Sequence, residues 1–486
     1  SVVLRAGWIL GEGSISADGS GLHYESKGGG GGRVAVVVTN GLATGNVRMH
    51  AYGGNGDAGR NGAAGTVYRE IRAYHMPGRG VLTVDNNNLM ARWARTVIPT
   101  NWPLEDFEEI WVTNRGVLGL CDGATFNFAS PPASLRWCGP SASFLTIRPS
   151  NNAVFPSDFV IDGYTLRLDG HRAVTGNWTV AQNGALSHSW NDSIAIFGLD
   201  LDLYGNLTVN GAIDASGAGY ALRAGPGYPG GGTGSYGGLG WGAPAGRTYG
   251  SALTPSDHGS GSYYGCGGGC AHLNVVGRLS VDGAVRSDAA SVWNVDGSGG
   301  SLWISAREIA GTGAVTSVGG AYRTNPGWEE RGGGGGRIAL RITAAEYQGS
   351  LSLLACGGKG GPGYPSAVGG AGTIYIEDVN CPQGGGWCIV DNNNVGTNGW
   401  TEWPASMWGD AAETLRGVRL TITNAACLRL STNVIVGNLF LGTNSVLDLN
   451  GYTCRVDATR HALAGLVVSN GGALFWGRKG TVFAVR

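Results

Sequence analysis

The carboxylates whose spacing best suits chemistry are Asp200, Asp202 and Asp214, within the stretch GLDLDLYGNLTVNGAIDAS. Side chains alternate along a β-strand, so Asp200 and Asp202 would share one face, and Asp214 is expected one coil further on. Glycosidic hydrolysis uses two carboxyl groups about 5 to 10 Å apart. The same pattern suits a solvated strand face with leucines in the core, which is the interpretation we favour, and no catalytic residue is assigned.

Aromatic residues on a glycine-rich stretch form the second candidate site. More than a third of residues 216–270, here called the Gly/Tyr segment, is glycine, and the segment is longer than an ordinary loop. Aromatic rings on such a chain could stack on sugar rings or cohere with a neighbouring subunit. They could equally pack on the flank of their own fold. The binding candidates are Tyr228, Tyr236, Trp241, Tyr249, Tyr263 and Tyr264.

The nine cysteines lie mostly in close pairs, which predicts disulfides in an oxidising compartment. Buried thiols are the alternative, and Cys356 is left without a partner or a role. The predicted disulfides are Cys121 with Cys138, Cys266 with Cys270, Cys381 with Cys388, and Cys427 with Cys454.

Metal and cofactor chemistry receive little support from the sequence. The eight histidines are scattered, with no HExxH arrangement, and no second ligand pair accompanies GCGGGC, so no metal site is predicted. A lyase would need calcium-binding aspartates beside a basic residue. Calcium binding is therefore left open, and no cofactor is expected.

Composition excludes several classes of protein. The 33 basic and 34 acidic residues give no electrostatic footprint for nucleic acid. No apolar run approaches the roughly 18 residues that would span a membrane. Glycine supplies 90 of the 486 residues, yet 42% are hydrophobic, which is enough apolar surface for a folded chain.

A long internal repeat organises the chain. GGGGGRVAVVV at Gly28 recurs as GGGGGRIALRI at Gly332, an offset of 304, and VDNNN recurs from Val84 at Val390. The offset later falls from 310 to 288, so the first copy holds 22 extra residues, placed near Cys121 and Cys138 and expected to be stapled by their disulfide. The copies are A1 (1–198) and A2 (301–486), separated by a single-copy segment B (199–300).

Short alternating stretches broken by Gly, Asn or Asp predict strands and turns, with no helical stripe. GNLTVNGAIDAS at Gly205 recurs as GRLSVDGAVRSD at Gly277. Glycine at the bends and occasional long excursions favour a parallel coil over a sandwich. The prediction is an all-β, right-handed parallel β-helix (β-solenoid) with long Gly-rich loops, in one continuous solenoid. Its VDNNN turns would use left-handed asparagines and hydrogen-bond neighbouring coils.

The two GGGGGR runs lack the Lys-Ser or Lys-Thr ending of a phosphate-binding loop. They predict tightly packed corners in which glycine lets two backbones approach. Arg33 and Arg337, which follow them, are expected to be stacking or capping donors.

The phrases GGGGGR-I-A-L and GAGT-I-Y-I resemble the glycine-rich repeats of large secreted bacterial surface and adhesin-type proteins with pectin-lyase-like parallel β-helices. The resemblance implies an extracellular or cell-surface setting and carries no catalytic motif.

The expected role is a structural or adhesive scaffold. The chain starts in the apolar strand SVVL and finishes in TVFAVR, and neither stretch looks capped. It is therefore expected to stack end to end with copies of itself, as a fibre, or with flanking repeats of a longer array. A polysaccharide-binding or polysaccharide-degrading β-helix protein is the alternative, with glycans as ligands.

Overall fold

The computed structural model describes residues 1–21, 27–56, 60–99, 102–228, 230, 232–242, 247–291, 297–321, 331–361, 364–381, 385–396, 398–457, 461–477 and 483–485. Contacts divide the chain into two compact units. The first comprises Ser1–Gly170 and Trp178–Ser189, and the second comprises His171–Asn177 and Trp190–Arg486.

Short strands make up both units, and the predicted all-β class is confirmed for the described residues, whose only helical turns are the 3-10 turns Leu104–Asp106 and Ala412–Leu415. The strands up to residue 189 are β1 Val2–Ala6, β2 Ser14–Ser16, β3 Arg33–Val38, β4 Arg48–His50, β5 Thr66–Ile71, β6 Val81–Asp85, β7 Thr96–Ile98, β8 Glu109–Thr113, β9 Gly116–Leu120, β10 Thr125–Asn127, β11 Leu135–Trp137, β12 Ser143–Ile147, β13 Asn152–Val154, β14 Asp158–Ile161, β15 Thr165–Leu168, β16 Gly170–Thr175, β17 Asn177–Val180 and β18 Ala185–Ser187. The strands that follow are β19 Leu199–Tyr204, β20 Leu207–Val209, β21 Ala212–Asp214, β22 Gly265–Cys266, β23 Cys270–Val281, β24 Ala284–Arg286, β25 Ala290–Ser291, β26 Ser301–Ala310, β27 Ala314–Thr316, β28 Arg337–Ile342, β29 Ser352–Leu354, β30 Thr373–Glu377, β31 Trp387–Asp391, β32 Thr401–Trp403, β33 Arg419–Thr423, β34 Cys427–Leu430, β35 Val434–Val436, β36 Asn438–Leu441, β37 Val446–Asp448, β38 Thr453–Val456, β39 His461–Leu463, β40 Leu466–Val468, β41 Ala473–Trp476 and β42 Phe483–Val485.

Parallel pairing dominates both units. In the first unit the main sheets run β1-β3-β5-β6-β8-β11 and β7-β9-β12-β15-β18. In the second they include β23-β26-β28-β30-β31-β33-β36-β39 and β21-β24-β27-β29. Each strand thus pairs with a strand from the next turn of the chain, and one such turn is here called a level. Examples are β34 with β37 and β27 with β29. The strands β19, β20 and β21 find their next partners in β23 and β24, beyond the Gly/Tyr segment, because that segment intervenes in the chain.

Like residues stack on like across these levels. In the second unit Leu201 pairs with Leu273, which pairs with Ile304, then Leu340 and then Ile376. All five are buried. Each aliphatic side chain removed from water contributes about 1.5 to 3 kcal/mol, so this column is a main source of stability. Alternate residues of β19 and β23 are less buried, as the alternation in LDLDL predicts.

Strand direction reverses at equivalent positions of the two copies, and copy A2 has a further antiparallel pair, β41 with β42. Strands β5 and β6 are antiparallel, as are their counterparts β30 and β31, whereas β6 with β8 and β31 with β33 are again parallel. Pro77 and Gly78, at a φ of 82°, lie in the first of these turns, and a Pro-Gly pair is a turn signal. The uniformly parallel stack expected from the sequence is therefore interrupted at matching positions.

The VDNNN turns behave as predicted. Asn87, Asn88, Asn393 and Asn394 adopt positive φ values between 47° and 61°. The buried Asn86 side chain accepts a hydrogen bond from the Gly53 N–H at 2.8 Å, and Asn392 accepts one from Gly357 at 2.9 Å. These asparagines thus tie the turn of one level to the glycine backbone of the level before it.

The insertion of copy A1 forms a further level of stacked strands. β11 pairs in parallel with β8, which places Leu135 on Ile110, and β12 pairs in parallel with β9, which places Leu145 on Leu118. An insertion close in length to one level adds that level and leaves the register on either side intact. The insertion was expected to be held by a disulfide; strand pairing holds it in the structure.

Candidate functional site

The Gly/Tyr segment lies along the GGGGGR run of copy A2, Gly332–Gly336, here called the second glycine run. The Gly334 N–H donates to Gly234 at 3.0 Å, while Gly238 and Trp241 donate to the carbonyls of Gly335 and Gly332 at 2.9 and 3.1 Å. A Cβ on Gly334 would lie 1.9 Å from the Gly238 carbonyl oxygen, so glycine is required for this approach. Residues 229, 231 and 243–246 of the segment lie outside the described residues.

Two tyrosines of the segment are buried around Arg337. Tyr236 and Tyr249 are both 0% exposed, with ring centroids 4.7 Å apart. The Arg337 guanidinium lies 5.3 Å from the Tyr236 centroid and donates through Nε to the Tyr249 carbonyl at 3.1 Å. Burial raises the pKa of both phenols, so they stay neutral hydrogen-bonding groups. The prediction that this arginine is a stacking and capping donor is confirmed.

Polar anchors hold the rest of the segment against copy A2. The Thr248 hydroxyl donates to Glu402 at 3.0 Å, and the Ala252 N–H donates to Asp410 at 2.8 Å. The Ser251 hydroxyl also donates to Asp410. The segment, expected to be an excursion and a display loop, is in this structure a folded cover.

The six aromatic binding candidates occupy different environments. Tyr236 and Tyr249 have no surface on which a sugar ring could stack. Tyr228, Trp241 and Tyr264 are half-buried, and Tyr263 is 37% exposed with the Arg223 guanidinium 4.0 Å from its centroid. Ligand binding by these four accessible aromatics stays a prediction.

The carboxylates Asp200 and Asp202 share the outward face of β19, as predicted. Asp200 lies between two imidazoles, with His272 Nδ1 at 2.8 Å from one oxygen and His171 Nδ1 at 3.1 Å from the other. His272 is stacked on Trp303 with centroids 4.1 Å apart. The Asp200 side chain is 40% exposed. The hydrogen bonds orient this carboxylate while leaving it open to solvent.

Asp214 does not join this group. It lies on β21, in the sheet that continues through β24, and its carboxylate accepts a hydrogen bond from the Ser216 N–H at 2.9 Å. The expectation that it falls one coil beyond Asp200 is wrong, because β19 and β21 are successive strands within one level. The outward-facing pair is therefore limited to Asp200 and Asp202, which the strand rise separates by about 7 Å.

Among the described residues, no group of three or more His, Cys, Asp or Glu side chains is arranged to hold a metal ion. Within the same residues, no helix has the length and apolarity needed to cross a bilayer.

All nine cysteines lie among the described residues, and none of them forms a disulfide in this structure. Cys427 pairs across strands with Val446, and Cys454 with Val434 and Leu474, so the register does not place these two cysteines opposite each other. Burial raises the pKa of Cys388 and of Cys454 to about 12. The four disulfides named above, Cys121 with Cys138, Cys266 with Cys270, Cys381 with Cys388, and Cys427 with Cys454, are absent here and stay predictions.

An aromatic groove of about 360 Å³ in the first unit was not anticipated. It is built on the extra level of copy A1, where Phe128 stacks on Phe155 at 4.8 Å and Trp137 on Tyr164 at 4.6 Å. Its lining includes Pro131, Pro132 and Asp158. The clustering of aromatic residues and prolines between residues 126 and 164 is the signal that could have indicated it.

No protein-family model, no curated protein and no solved structure matches this chain.

Proposed function

We propose that the protein is an extracellular structural or adhesive scaffold, built as a β-solenoid and joined end to end to further β coils. The partner is a second copy or a flanking repeat of a longer array. Ladders of like residues and backbone-packed glycines support this role, since such stacking can be extended by further coils along the same axis. The extracellular setting rests on the resemblance of the repeat phrases to surface proteins.

The proposed solenoid changes its winding sense within each copy. Sheet order continues in one direction through β5-β6-β8, while strand direction reverses between β5 and β6. If the chain keeps advancing along the same axis but circles that axis in the opposite direction, the handedness of the coil changes. A right-handed coil therefore applies to one side of each hairpin and a left-handed coil to the other.

The observation that carries the scaffold proposal is the open edge of β1. β1 lies at the end of its sheet, and nearby Val3, Trp8 and Leu10 are 81%, 64% and 83% exposed. Its counterpart in copy A2, β26, has β23 on that side. An apolar edge strand is a template for a further strand, and the covered copy illustrates the kind of strand that fits.

Charge on this edge tests the proposal. The double variant Val3→Lys and Leu10→Lys places two cations beside the open edge, a common means by which proteins oppose edge pairing. The matched control is Met76→Lys, which replaces a 69% exposed apolar residue in another part of the unit. Electron microscopy and sedimentation velocity of the three proteins give the readout.

The expected result is concentration-dependent filaments or oligomers for the wild type and the control, and monomers for the double variant. A wild-type protein that stays monomeric at high concentration would contradict the end-to-end joining of copies.

A second function is favoured by the Asp200 cluster. A solvent-open carboxylate pair beside Trp303 suits a polysaccharide-binding or polysaccharide-degrading surface. Turnover or binding of polysaccharide that disappears in Asp200→Ala and Asp202→Ala proteins of unchanged fold would establish it. Retention of that activity in both variants would dispose of this role for the cluster.

A further inference from the structure

The two glycine runs have nearly the same hydrogen bonds. We call Gly28–Gly32 of copy A1 the first glycine run; the offset of 304 places Gly30 opposite Gly334. Four of the five N–H groups in each run donate to repeat-equivalent carbonyls. The first run bonds Arg60, Ser20, Ala63 and Ala17, and the second bonds Ala367, Gly320, Gly370 and Ser317.

The fifth N–H distinguishes the runs. Gly334 donates to Gly234 of the Gly/Tyr segment at 3.0 Å. Gly30 is exposed, and its N–H has no acceptor within the described part of the chain. The first run thus presents an N–H group whose equivalent in the second run binds the Gly/Tyr segment.

The two runs differ in the same way in their carbonyl acceptors. The carbonyls of Gly332 and Gly335 accept hydrogen bonds from Trp241 and Gly238. The equivalent carbonyls of Gly28 and Gly31 accept none from the described residues. The first run therefore repeats the spacing of one donor and two acceptors that holds residues 234–241 on the second run.

Neither the backbone conformation nor the packing at Gly30 requires a glycine. Its φ lies outside the left-handed region, and a Cβ built there would meet nothing closer than the Ala63 carbonyl oxygen at 4.0 Å. At Gly334 the same Cβ would lie 1.9 Å from the Gly238 oxygen. A glycine at position 30 becomes necessary once a backbone approaches it as closely as the cover approaches Gly334.

Arg33 completes the match. It follows the first run as Arg337 follows the second, but it is exposed, with its guanidinium 4.9 Å from the Trp102 centroid. Arg337 has Tyr236 of the cover over its guanidinium. An incoming segment with an aromatic residue at the position of Tyr236 would meet Arg33 in the same way.

We propose that the first glycine run is a docking site for an extended, glycine-rich polypeptide segment with the chemistry of residues 234–241, GSYGGLGW, supplied by a partner polypeptide. The chain's own segment of this type is already bound to the second run, so the occupant comes from elsewhere. The proposal deepens the scaffold role above, on which it rests for its biological setting, by naming the chemistry of a lateral partner.

A labelled peptide of residues 232–242, GTGSYGGLGWG, titrated into the full-length protein tests this by fluorescence anisotropy. The matched variants are Gly30→Ala, which blocks the approach at an open position, and Gly13→Ala, which fills another exposed glycine with no atom within 4 Å. Thermal unfolding of both variants checks that the fold is unchanged.

We expect saturable binding to the wild type and to Gly13→Ala, and at least a tenfold loss of affinity for Gly30→Ala. Amide exchange should slow on peptide binding at residues 28–32. Absence of saturable binding, or equal binding by Gly30→Ala, would overturn the proposal. Wild-type self-association that needs Gly30 and is displaced by the peptide would overturn the assignment to a separate partner in favour of a second copy.

The scaffold proposal is tested independently of this site. If the peptide fails to bind while filaments still depend on Val3 and Leu10, the docking site is wrong and the end-to-end scaffold stands. If the peptide binds a strictly monomeric protein, the reverse holds.

Discussion

Gly28–Gly32 and Gly332–Gly336 have one sequence, GGGGGR including the following arginine, and two environments. The second run and Arg337 are fully buried under the Gly/Tyr segment, whereas Gly30 and Arg33 are exposed. Their hydrogen bonds to neighbouring levels are equivalent. The local sequence therefore determines how a glycine run packs within its own copy, and a segment from the single-copy part of the chain determines whether it is covered.

The largest expected effect comes from adding one methyl group to each run. Gly334→Ala should destabilise the protein by about 3 kcal/mol, because the Cβ overlaps the Gly238 carbonyl and the cover must shift. Gly30→Ala should lie within about 0.5 kcal/mol of the wild type. Urea denaturation of both variants measures the difference. Equal stabilities would mean that the cover does not dock on the second run.

Removing the two arginines should give the next largest contrast. Arg337→Ala removes buried hydrogen bonds to Tyr249 and Thr373, at a cost of about 2 kcal/mol. Arg33→Ala removes one exposed cation–π contact and should cost less than about 1 kcal/mol. The same denaturation assay applies. A larger loss of stability for Arg33→Ala would contradict the stronger structural contribution of Arg337.

Thiol reactivity compares the burial of one repeat position in the two copies. Cys356 is buried beside the second run, and burial raises its pKa to about 11. Its repeat equivalent in copy A1 is the half-buried Tyr52. An ordinary cysteine pKa is about 8.5, so in a Tyr52→Cys variant at pH 8 the new thiol should react about 100-fold faster than Cys356. Mass spectrometry of iodoacetamide-labelled peptides gives both rates; similar rates would contradict the deeper burial of this position in copy A2.

The smallest expected effect is a pH dependence specific to the covered copy. Burial raises the pKa of Asp257, which lies in the cover near Arg337. The folded state then binds this proton more tightly than the unfolded state, so stability falls as pH rises above about 4. Asp257→Asn should therefore be more stable than the wild type at pH 7, and the gain should vanish below pH 4. A loss of stability at pH 7 would show that the attraction between Asp257 and Arg337 outweighs the cost of burying the carboxylate.

Much of the fold was predictable because it rests on side-chain periodicity. The alternation in LDLDL placed Asp200 and Asp202 outward and the leucines inward, and the asparagines of VDNNN adopt the left-handed turn that their type tolerates. The hairpin between β5 and β6 is signalled only by Pro77 and Gly78, and the repeat by itself predicts a single strand direction.

The covering of the second run could not be derived from pattern. Contacts between Gly238 and Gly335 involve backbone alone, and glycine contributes no hydrophobic signal that would identify its partner. The positions of the cysteines also depend on strand register. Cys427 and Cys454 are near each other in the chain, but whole strands set the register, which places Val446 opposite Cys427 and a valine and a leucine on either side of Cys454.

Backbone amide exchange at the two glycine runs tests the central comparison most directly. Peptides covering residues 27–38 and 331–342 report on Gly30 and Gly334 in one experiment. We expect the Gly334 amide to be protected together with its neighbours, whereas the Gly30 amide should exchange rapidly between the protected Gly29 and Gly31. Equal protection of Gly30 and Gly334, or equally rapid exchange of both, would contradict it.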